Sequence, residues 1–393
     1  MIRRYFYHVY WFLVVGGLVM ISAFNAIVDP GWQFNITQIK GFNYFKDTEY
    51  SSIISRQHQI RFLRPSFLIF GSSRVAAGIS TDHPIFTEFL QPNGFFKFNI
   101  SSPNIKQIRT AMEFTVSIAP VKKLIIGLDF FMFNAYHDNG VFKEQSPPPL
   151  ISINAVKDSL HTIEYQQKKS LRSEEPPEQL YEHFSIIERY YMSPGSEWFP
   201  RPYYQFDFVD HEQQYSTWND FRSILEIARR NDIKVYFYIS PIHARLCESL
   251  DAVGLYQQWE NWKRNLVLIL AQDKMANKHA EPFPLWDFSG YNSITTEMIP
   301  SKGSPKNMKY YRESSHFKVA VGDLVLNRIF NLNLVAGNIP EDFGSLLSAD
   351  NIEAHLIRVR QDREKFRQDY SEDYAEIVQM AKKIKVNGRQ WQK

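Results

Sequence analysis

The chain of 393 residues is predicted to be an α/β protein: a doubly wound, mostly parallel five-stranded sheet with an N-terminal transmembrane helix and a C-terminal charged helix. Three observations predict this architecture. Short apolar runs that are typical of buried strands alternate with longer segments of helical periodicity. One apolar segment near the N-terminus has the length of a membrane span. The segment after Pro340 is highly charged and carries apolar residues at helical spacing.

The first element is the apolar segment from Tyr10 to Val28, close to the ~20 residues that cross a hydrocarbon core. Arg3 and Arg4 precede it, and the positive-inside rule places that end in the cytoplasm. A cleaved signal peptide is the alternative, but the small-x-small pattern of a cleavage site is not clean around Ser22 to Ala26. We therefore expect a single-pass inner-membrane protein whose main domain is periplasmic or extracellular.

Five apolar runs predict the strands of the sheet: 67–70, 95–101, 124–129, 235–240 and 284–288. Helical patterns separate or follow them, with Ser102 as the expected N-cap of the first, further helices at 217–230, 252–270 and 319–329, and a single long helix that carries Phe366 to Ala381. The predicted parts are an anchor at 1–28, a main domain at 29–332 and a helical extension at 333–393. An insertion at about 138–215 is either a lid or substrate wall at the site or a peripheral cap without function.

The strand Phe67-Leu-Ile-Phe70 stops at Gly71 and is followed by Ser72 and Ser73. Open α/β sheets bind their ligands at this carboxyl edge. A serine hydroxyl needs a base to become a nucleophile, and the block Glu313-Ser-Ser-His316 offers an imidazole three residues after a carboxylate. Each of these residues also has a plainer interpretation, as a turn-capping serine, a surface histidine or a solvated acid.

Composition argues against several other functions. The net charge is +3 without a Lys/Arg-rich run, so nucleic acid is not an expected partner. Cys247 is the only cysteine, which excludes an intrachain disulfide and a cysteine metal cluster. His243, Asp129 and Asp287 follow or end predicted strands, but their spacing lacks the regularity of known ligand motifs. No metal and no cofactor are predicted.

The Gly71-Ser72-Ser73 turn near the start of the domain and the Glu313-x-x-His316 block near its end resemble the SGNH (GDSL-like) hydrolases and acyltransferases, whose acid is usually Asp. The Gly-Ser-Ser form is similar to the membrane-anchored branch that includes the teichoic-acid D-alanyl transfer protein and the alginate O-acetylation proteins. The resemblance covers about 29–332 and is carried by these short motifs and their order. It implies that Ser73 is the nucleophile, His316 the base and Glu313 the orienting acid, with Ser72 in the family's Asp position.

The resemblance also implies donors for an oxyanion, and here the sequence departs from the family. The glycine of the second block is replaced by Ser101 or Ser102, which keep a backbone N–H. The third block, Gly-x-Asn-Asp, becomes Gly127-Leu-Asp-Phe, so Asp129 stands where an amide donor is expected. Either Asn134 or the main chain supplies this donor, or Asp129 has a structural role.

Two more residues belong to the predicted edge. Arg74 follows the nucleophile directly and is expected either to bind an anionic sugar or carboxylate or to pair with a neighbouring acid. His243 follows the fourth predicted strand and is expected to be a substrate contact or a satisfied buried group.

These features predict a periplasm-facing serine acyltransferase or esterase that acts on acyl esters, above all acetyl esters, of an envelope or exported polysaccharide through an acyl-serine. The anchor favours transfer, because an acyl donor made in the cytoplasm has to reach the site through a membrane partner. The resemblance implies that this partner is a membrane-bound O-acyltransferase. The alternative is a catalytically degenerate SGNH-fold scaffold or glycan-binding subunit of a polysaccharide synthesis or secretion complex, which Asp129 favours.

Overall fold

The structure is a computed structural model that describes residues 2–44, 52–87, 94–138, 140–142, 149–171, 177–332 and 339–387. Parts of the predicted insertion (139, 143–148 and 172–176) and of the predicted C-terminal extension (333–338 and 388–393) lie outside the described residues. The chain divides into a helical unit, Met1–Arg64 with Lys143–Glu174, and a sheet unit, Pro65–Phe142 with Glu175–Lys393. The predicted boundaries at residues 28 and 332 stay a prediction.

Strands and helices are numbered here in chain order. The described strands are β1 (Phe67–Gly71), β2 (Phe95–Asn99), β3 (Lys123–Leu128), β4 (Val209–Asp210), β5 (Tyr215–Ser216), β6 (Lys234–Ile239), β7 (Leu285–Asp287) and β8 (Ser345–Leu347). The described helices are α1 (Ile2–Val28), α2 (Ser52–Leu63), α3 (Ser73–Gly78), α4 (Pro84–Thr87), α5 (Ile105–Ile118), α6 (Ile153–Leu171), α7 (Leu180–Met192), α8 (Thr217–Arg230), α9 (Ala244–Ala252), α10 (Tyr256–Ala276), α11 (Val319–Phe330), α12 (Ile352–Asp369) and α13 (Ser371–Asn387). Short 3-10 helices occupy Phe130–Phe133 and Pro177–Gln179.

The sheet unit is built on a mostly parallel sheet in the order β2-β1-β3-β6-β7-β8. This confirms the mixed α/β architecture but corrects the predicted number of strands, because the sheet has six strands among the described residues. The additional strand, β8, is only three residues long and pairs antiparallel with β7 at the edge. A run this short carries too little periodicity to be recognised in the sequence.

Strand β1 lies between β2 and β3, and all five of its residues are buried. The side chains of Phe67 and Ile69 join the core that packs the sheet against α11, which includes Val325. A Cβ atom on Gly71 would overlap the side chain of Val75 in α3. Glycine at this position therefore lets the chain turn directly from the strand into the helix.

Helix α11 packs closely against α3. A Cβ atom on Gly322 would overlap the carbonyl oxygen of Gly78, and one on Gly78 would overlap the ring of Phe317. The two glycines thus allow α3, which follows β1, to touch the segment that carries His316. Close packing of this kind fixes the distance between two parts of the chain that are remote in sequence.

Three helix boundaries differ from the predictions. The N-cap of α5 is Asn104, which forms a capping box with Gln107, so the prediction of Ser102 as N-cap was wrong. The helix predicted at 252–270 begins at Tyr256, after a turn in which Gly254 has a φ of +84°. The predicted single C-terminal helix is two helices, α12 and α13, that meet at Tyr370.

Helix α13 docks on α7 and α9 through a buried cation. The Arg245 guanidinium is fully buried and bonds Glu188 of α7 through two nitrogens, each at 2.8 Å. It also bonds Asp373 at 2.7 Å and Glu376 at 2.9 Å, both in α13. Because a buried guanidinium without partners is costly, this network ties the end of the chain to the body of the sheet unit.

The helical unit contains α1, whose segment Tyr5–Val28 is 24 residues long with a mean hydropathy of 2.1. It is long and apolar enough to span a membrane.

Candidate active site

Ser73 is the first residue of α3 and lies at the carboxyl end of β1. Its Oγ is 2.8 Å from Nε2 of His316, and the other ring nitrogen, Nδ1, is hydrogen-bonded to the Glu313 carboxylate. If Nδ1 carries the ring proton and donates it to Glu313, Nε2 is left with a lone pair that accepts the Ser73 hydroxyl proton. The structure thus brings together the serine, the imidazole and the carboxylate in the order required for nucleophilic catalysis.

The two adjacent serines have different surroundings. Ser72 is 1% exposed, and its hydroxyl donates to the Asp129 carboxylate at 2.6 Å while accepting from the backbone N–H of Arg74. Ser73 is half-buried, and the side chain of His316 beside it is 28% exposed. Of the two hydroxyls, the one of Ser73 is both beside a base and within reach of a ligand.

The segment that carries His316 is held at several points. The backbone N–H of Arg312 donates to the carbonyl of His316 at 3.0 Å, and Tyr311 pairs with Phe317 across the turn. The backbone N–H of Ser315 donates to the second carboxylate oxygen of Glu313 at 2.6 Å. Both oxygens of Glu313 therefore have partners, which fixes the plane of the carboxylate against the imidazole.

Asp129 forms a buried ion pair with Arg74, with Oδ1 at 2.6 Å from a guanidinium nitrogen and side-chain exposures of 1% and 5%. Burial lowers the pKa of Arg74, but the charge of Asp129 and its hydrogen bond, together with Tyr191 and Glu313, outweigh burial and raise this pKa above its ordinary value. The guanidinium therefore stays charged. Asp129 accordingly faces a permanent cation, which offsets the repulsion that a lone carboxylate would exert on a nearby oxyanion.

The guanidinium of Arg74 also contacts the segment that carries His316. Two nitrogens of Arg74 donate to the hydroxyl oxygen of Ser315 at 3.2 and 3.1 Å, and one lies 3.5 Å from the Tyr191 hydroxyl. Because the N–H of Ser315 holds Glu313, Arg74 is connected through Ser315 to the acid and the base. Of the two predicted roles of Arg74, the structure shows the pairing with a neighbouring acid.

Ser101 and Ser102, two candidate donors to an oxyanion, follow β2. The backbone N–H of Ile100 donates to the carbonyl of Gly71, so Ser101 and Ser102 leave the sheet at the same edge as Ser73. Ser101 is exposed. Ser102 has a φ of +47°, a left-handed conformation that favours glycine, the residue expected at this block from the family resemblance. The Ser102 hydroxyl donates to Glu197 at 2.7 Å.

Asn134 organises a loop of the insertion. Its amide nitrogen donates to the carbonyls of Glu197, Trp198 and Gln205 at 3.1, 3.2 and 3.1 Å, respectively. Its amide oxygen accepts the backbone N–H of Tyr136. These contacts occupy the amide with the main chain of the insertion, so it has a structural role here.

His243 is a buried helix cap. It is 1% exposed, its Nδ1 accepts the backbone N–H of Arg245, and its Nε2 donates to the carbonyl of Glu297 at 2.7 Å. Burial lowers the pKa of His243 to about 3, so the ring is neutral. Its backbone N–H donates to the carbonyl of Ser314, which places it behind the segment of the base.

The three residues considered for a metal have separate partners. Asp129 pairs with Arg74, and His243 bonds a backbone carbonyl. Asp287 pairs with the buried ammonium of Lys263 at 2.7 Å and bonds His355 at 2.8 Å. Within the described part of the chain, no group of three or more His, Cys, Asp or Glu side chains has the arrangement of a metal site.

Sequence reasoning missed Ser315, Tyr191 and Glu197. Ser315 lies inside the Glu-x-x-His block, so its proximity to the acid could have been noticed. Tyr191 in α7 and Glu197 after it belong to the insertion, where no local pattern indicates contact with Arg74 or Ser102.

No protein-family model and no curated protein sequence matches this chain at a significant level. Solved structures do show similarity. A protein from Bacteroides fragilis that is provisionally described as an acylhydrolase is 14% identical with a TM-score of 0.34, covering 70% of this chain and 91% of its own. One from Streptococcus pneumoniae, provisionally described as a platelet activating factor, is 11% identical with a TM-score of 0.30, covering 72% and 92%.

Substitution of Arg74 by lysine should slow the reaction of Ser73. The protein should stay folded, because the positive charge beside Asp129 is kept. In Arg74→Lys, an ammonium can pair with Asp129 but cannot reproduce the planar fork that also reaches Ser315. The lost hydrogen bonds are each worth about 1 kcal/mol, so we expect labelling of Ser73 by a fluorophosphonate to slow by roughly tenfold or more.

The double variant Arg74→Met with Asp129→Asn is the control for folding. It removes both charges and should melt near wild type yet label slowly, whereas wild-type labelling in both variants would contradict a positioning role.

His243 should make the free energy of unfolding decrease as the pH falls. Between pH 6.5, its ordinary pKa, and about 3, the unfolded chain binds a proton at His243 that the folded chain does not. The free energy of unfolding should therefore fall as the pH drops, by up to about 1.4 kcal/mol per pH unit. His243→Asn keeps a capping acceptor and should show a smaller loss of melting temperature between about pH 7.5 and about pH 5. His211→Asn, at an exposed histidine, is the control, and an equal loss in all three proteins would exclude this role.

Proposed function

We propose that the protein is a serine-dependent enzyme of the SGNH type that acts on acyl esters. The observation that carries the proposal is the chain of hydrogen bonds from Ser73 through His316 to Glu313 at the carboxyl edge of the sheet. This arrangement is the one that turns a serine hydroxyl into a nucleophile. The different surroundings of Ser72 and Ser73 support Ser73 as the reacting residue.

In the proposed reaction, Oγ of Ser73 attacks the ester carbonyl while its proton passes to Nε2 of His316. Glu313 accepts the Nδ1 proton in a hydrogen bond and stabilises the imidazolium. The backbone N–H of Ser73, at the first position of α3, has no acceptor within the helix and is a donor for the oxyanion. His316 then gives its proton to the leaving alcohol, and an acyl-serine remains.

The acyl-serine is resolved in the second half of the reaction by water or by a sugar hydroxyl, activated by the same imidazole. We propose transfer or hydrolysis of a small acyl group, such as acetyl, on an envelope or exported polysaccharide. The apolar helix α1 supports a membrane-bound location, and Arg3 and Arg4 before it support a cytoplasmic N-terminus. A membrane-bound O-acyltransferase that supplies the acyl group would fit this location.

The alternative proposal is a non-catalytic scaffold or glycan-binding subunit. It is favoured by Asp129, a carboxylate at the position where the family supplies an amide donor to the oxyanion. The ion pair with Arg74 weakens this argument, because the negative charge of Asp129 is offset. The two proposals differ in whether the hydroxyl of Ser73 is needed.

Substitution of Ser73 and His316 separates these proposals. Ser73→Ala should abolish fluorophosphonate labelling and hydrolysis of a chromogenic acetyl ester, while Ser72→Ala should reduce them less. His316→Ala should slow both by on the order of a thousandfold or more, since the base is lost, and Glu313→Gln should have a smaller effect. Ser117→Ala, at an exposed serine of α5, is the matched control.

The acyl content of exported glycan in cells carrying each variant gives the second measurement. An enzyme requires that it drop in Ser73→Ala, whereas a scaffold leaves it unchanged as long as the variant accumulates and melts normally. A folded wild-type protein that neither labels nor turns over any ester would refute the enzymatic proposal.

The proposed orientation has its own measurement. A reporter fused after Lys393 should be active only outside the cytoplasm, because Arg3 and Arg4 retain the N-terminus inside. The reverse fusion, at Met1, serves as the control and should report the cytoplasm. Cytoplasmic activity of the C-terminal fusion would refute a periplasmic or extracellular site.

A further inference from the structure

The C-terminal end of α1 is hydrogen-bonded to two other segments of the helical unit. The amide nitrogen of Asn25, in the last turns of α1, donates to the carbonyl of Leu150 at 2.6 Å. The amide nitrogen of Asn43 donates to the carbonyl of Ile27 at 2.7 Å, and both asparagines are buried. The carboxylate of Asp29 closes the turn after the helix by accepting backbone N–H groups from Gln33 to Asn35. The segments around 29–44 and 149–153 are therefore held beside the last turns of α1.

These segments and the start of α6 expose aliphatic side chains to an unusual degree. We call the following five residues the apolar collar: Ile36, 63% exposed; Ile39, 47%; Ile151, 57%; Ile153, 74%; and Leu160, 56%. Scattered exposed aliphatic residues are ordinary on soluble proteins. Here they are gathered in short segments attached to the end of one helix, an arrangement that marks a surface for an apolar environment.

The length of α1 sets the depth of this surface. The 24 residues of Tyr5–Val28 extend about 36 Å as a helix, more than the ~30 Å hydrocarbon core of a bilayer. The last turn, with Asn25, then lies at the boundary between hydrocarbon and headgroups. Leu150 and Asn43 are bonded to this turn, so the apolar collar begins at the same depth. Lys40 and Lys157, exposed in the same segments, can extend their ammonium groups to lipid phosphates.

We propose that the apolar collar inserts into the interfacial region of the bilayer at the carboxyl end of α1. The helical unit is then held on the membrane by a span and by a second, shallow contact. This inference rests on the proposed membrane anchor but not on the chemistry of Ser73. The apolar collar contacts lipid, because its segments are hydrogen-bonded to the turn of α1 that emerges from the hydrocarbon core.

The test uses the full chain in vesicles of phosphatidylethanolamine and phosphatidylglycerol. Cys247 is the only cysteine, and burial raises the pKa of its thiol to about 12, so it does not compete for a thiol-reactive fluorophore. Single probes are placed through Ile39→Cys and Ile153→Cys in the collar and Leu18→Cys in the middle of α1. Asp350→Cys, at an exposed polar residue of the sheet unit, is the control. Each probe is quenched by iodide in water and by nitroxide lipids labelled at shallow or deep positions.

The collar probes should show blue-shifted emission and stronger quenching by shallow nitroxide lipid than by iodide, whereas the Asp350 probe should show the reverse. If the Leu18 probe is quenched by deep nitroxide lipid but the collar probes respond to iodide like the control, the collar is in water and the inference fails while the anchor stands. Iodide quenching of the Leu18 probe overturns the anchor as well. Collar probes shielded from both quenchers are covered by protein, which also overturns the inference. An Ile151→Cys probe replaces any variant that does not insert, and fluorophosphonate labelling in the same vesicles reports separately on Ser73.

Discussion

The arrangement of the candidate site depends on the buried ion pair between Arg74 and Asp129. Arg74 lies in α3 directly after β1, and Asp129 directly follows the neighbouring strand β3, so the pair joins the ends of two strands at the edge where the candidate site lies. Through Ser315, the same guanidinium reaches the segment that holds the imidazole. A charge removed from water is stable only with its partners in place. The pair therefore requires the turn after β1, the end of β3 and the segment that carries His316 to be assembled together.

The local patterns of the sequence predicted much of this edge. An apolar run that ends at Gly71 predicted β1 and the turn, and the structure brings Glu313, His316 and Ser73 together. The roles of these residues in catalysis stay a prediction. The partners of Arg74 could not be predicted, because Arg74 and Ser315 are 241 positions apart and no local periodicity connects them. Strand β8 was missed for a related reason, since its three residues become a strand only by pairing with β7.

Two residues that differ from the pattern of the family that the sequence resembles, Ser102 and Asp129, have defined surroundings in the structure. Ser102 adopts the backbone conformation for which glycine is the usual choice, so the shape of the turn is retained with a different residue. Asp129 stands in place of an amide, but it faces a cation and a serine hydroxyl. Side chains of the insertion contribute to this edge as well, because Tyr191 contacts Arg74 and Glu197 accepts the hydroxyl proton of Ser102.

The cluster around Arg245 bears on the order in which the protein can mature. Glu188 lies on α7, the helix that also presents Tyr191 to Arg74, while Asp373 and Glu376 come from the last helix of the chain. During synthesis, all three residues of the candidate triad emerge before α13 does. Until that helix arrives, Arg245 has only one of its three carboxylates, and α7, which carries Tyr191, is incompletely held. The packing of α7 beside the candidate site is therefore completed as a late step, after α13 has been synthesised and has docked.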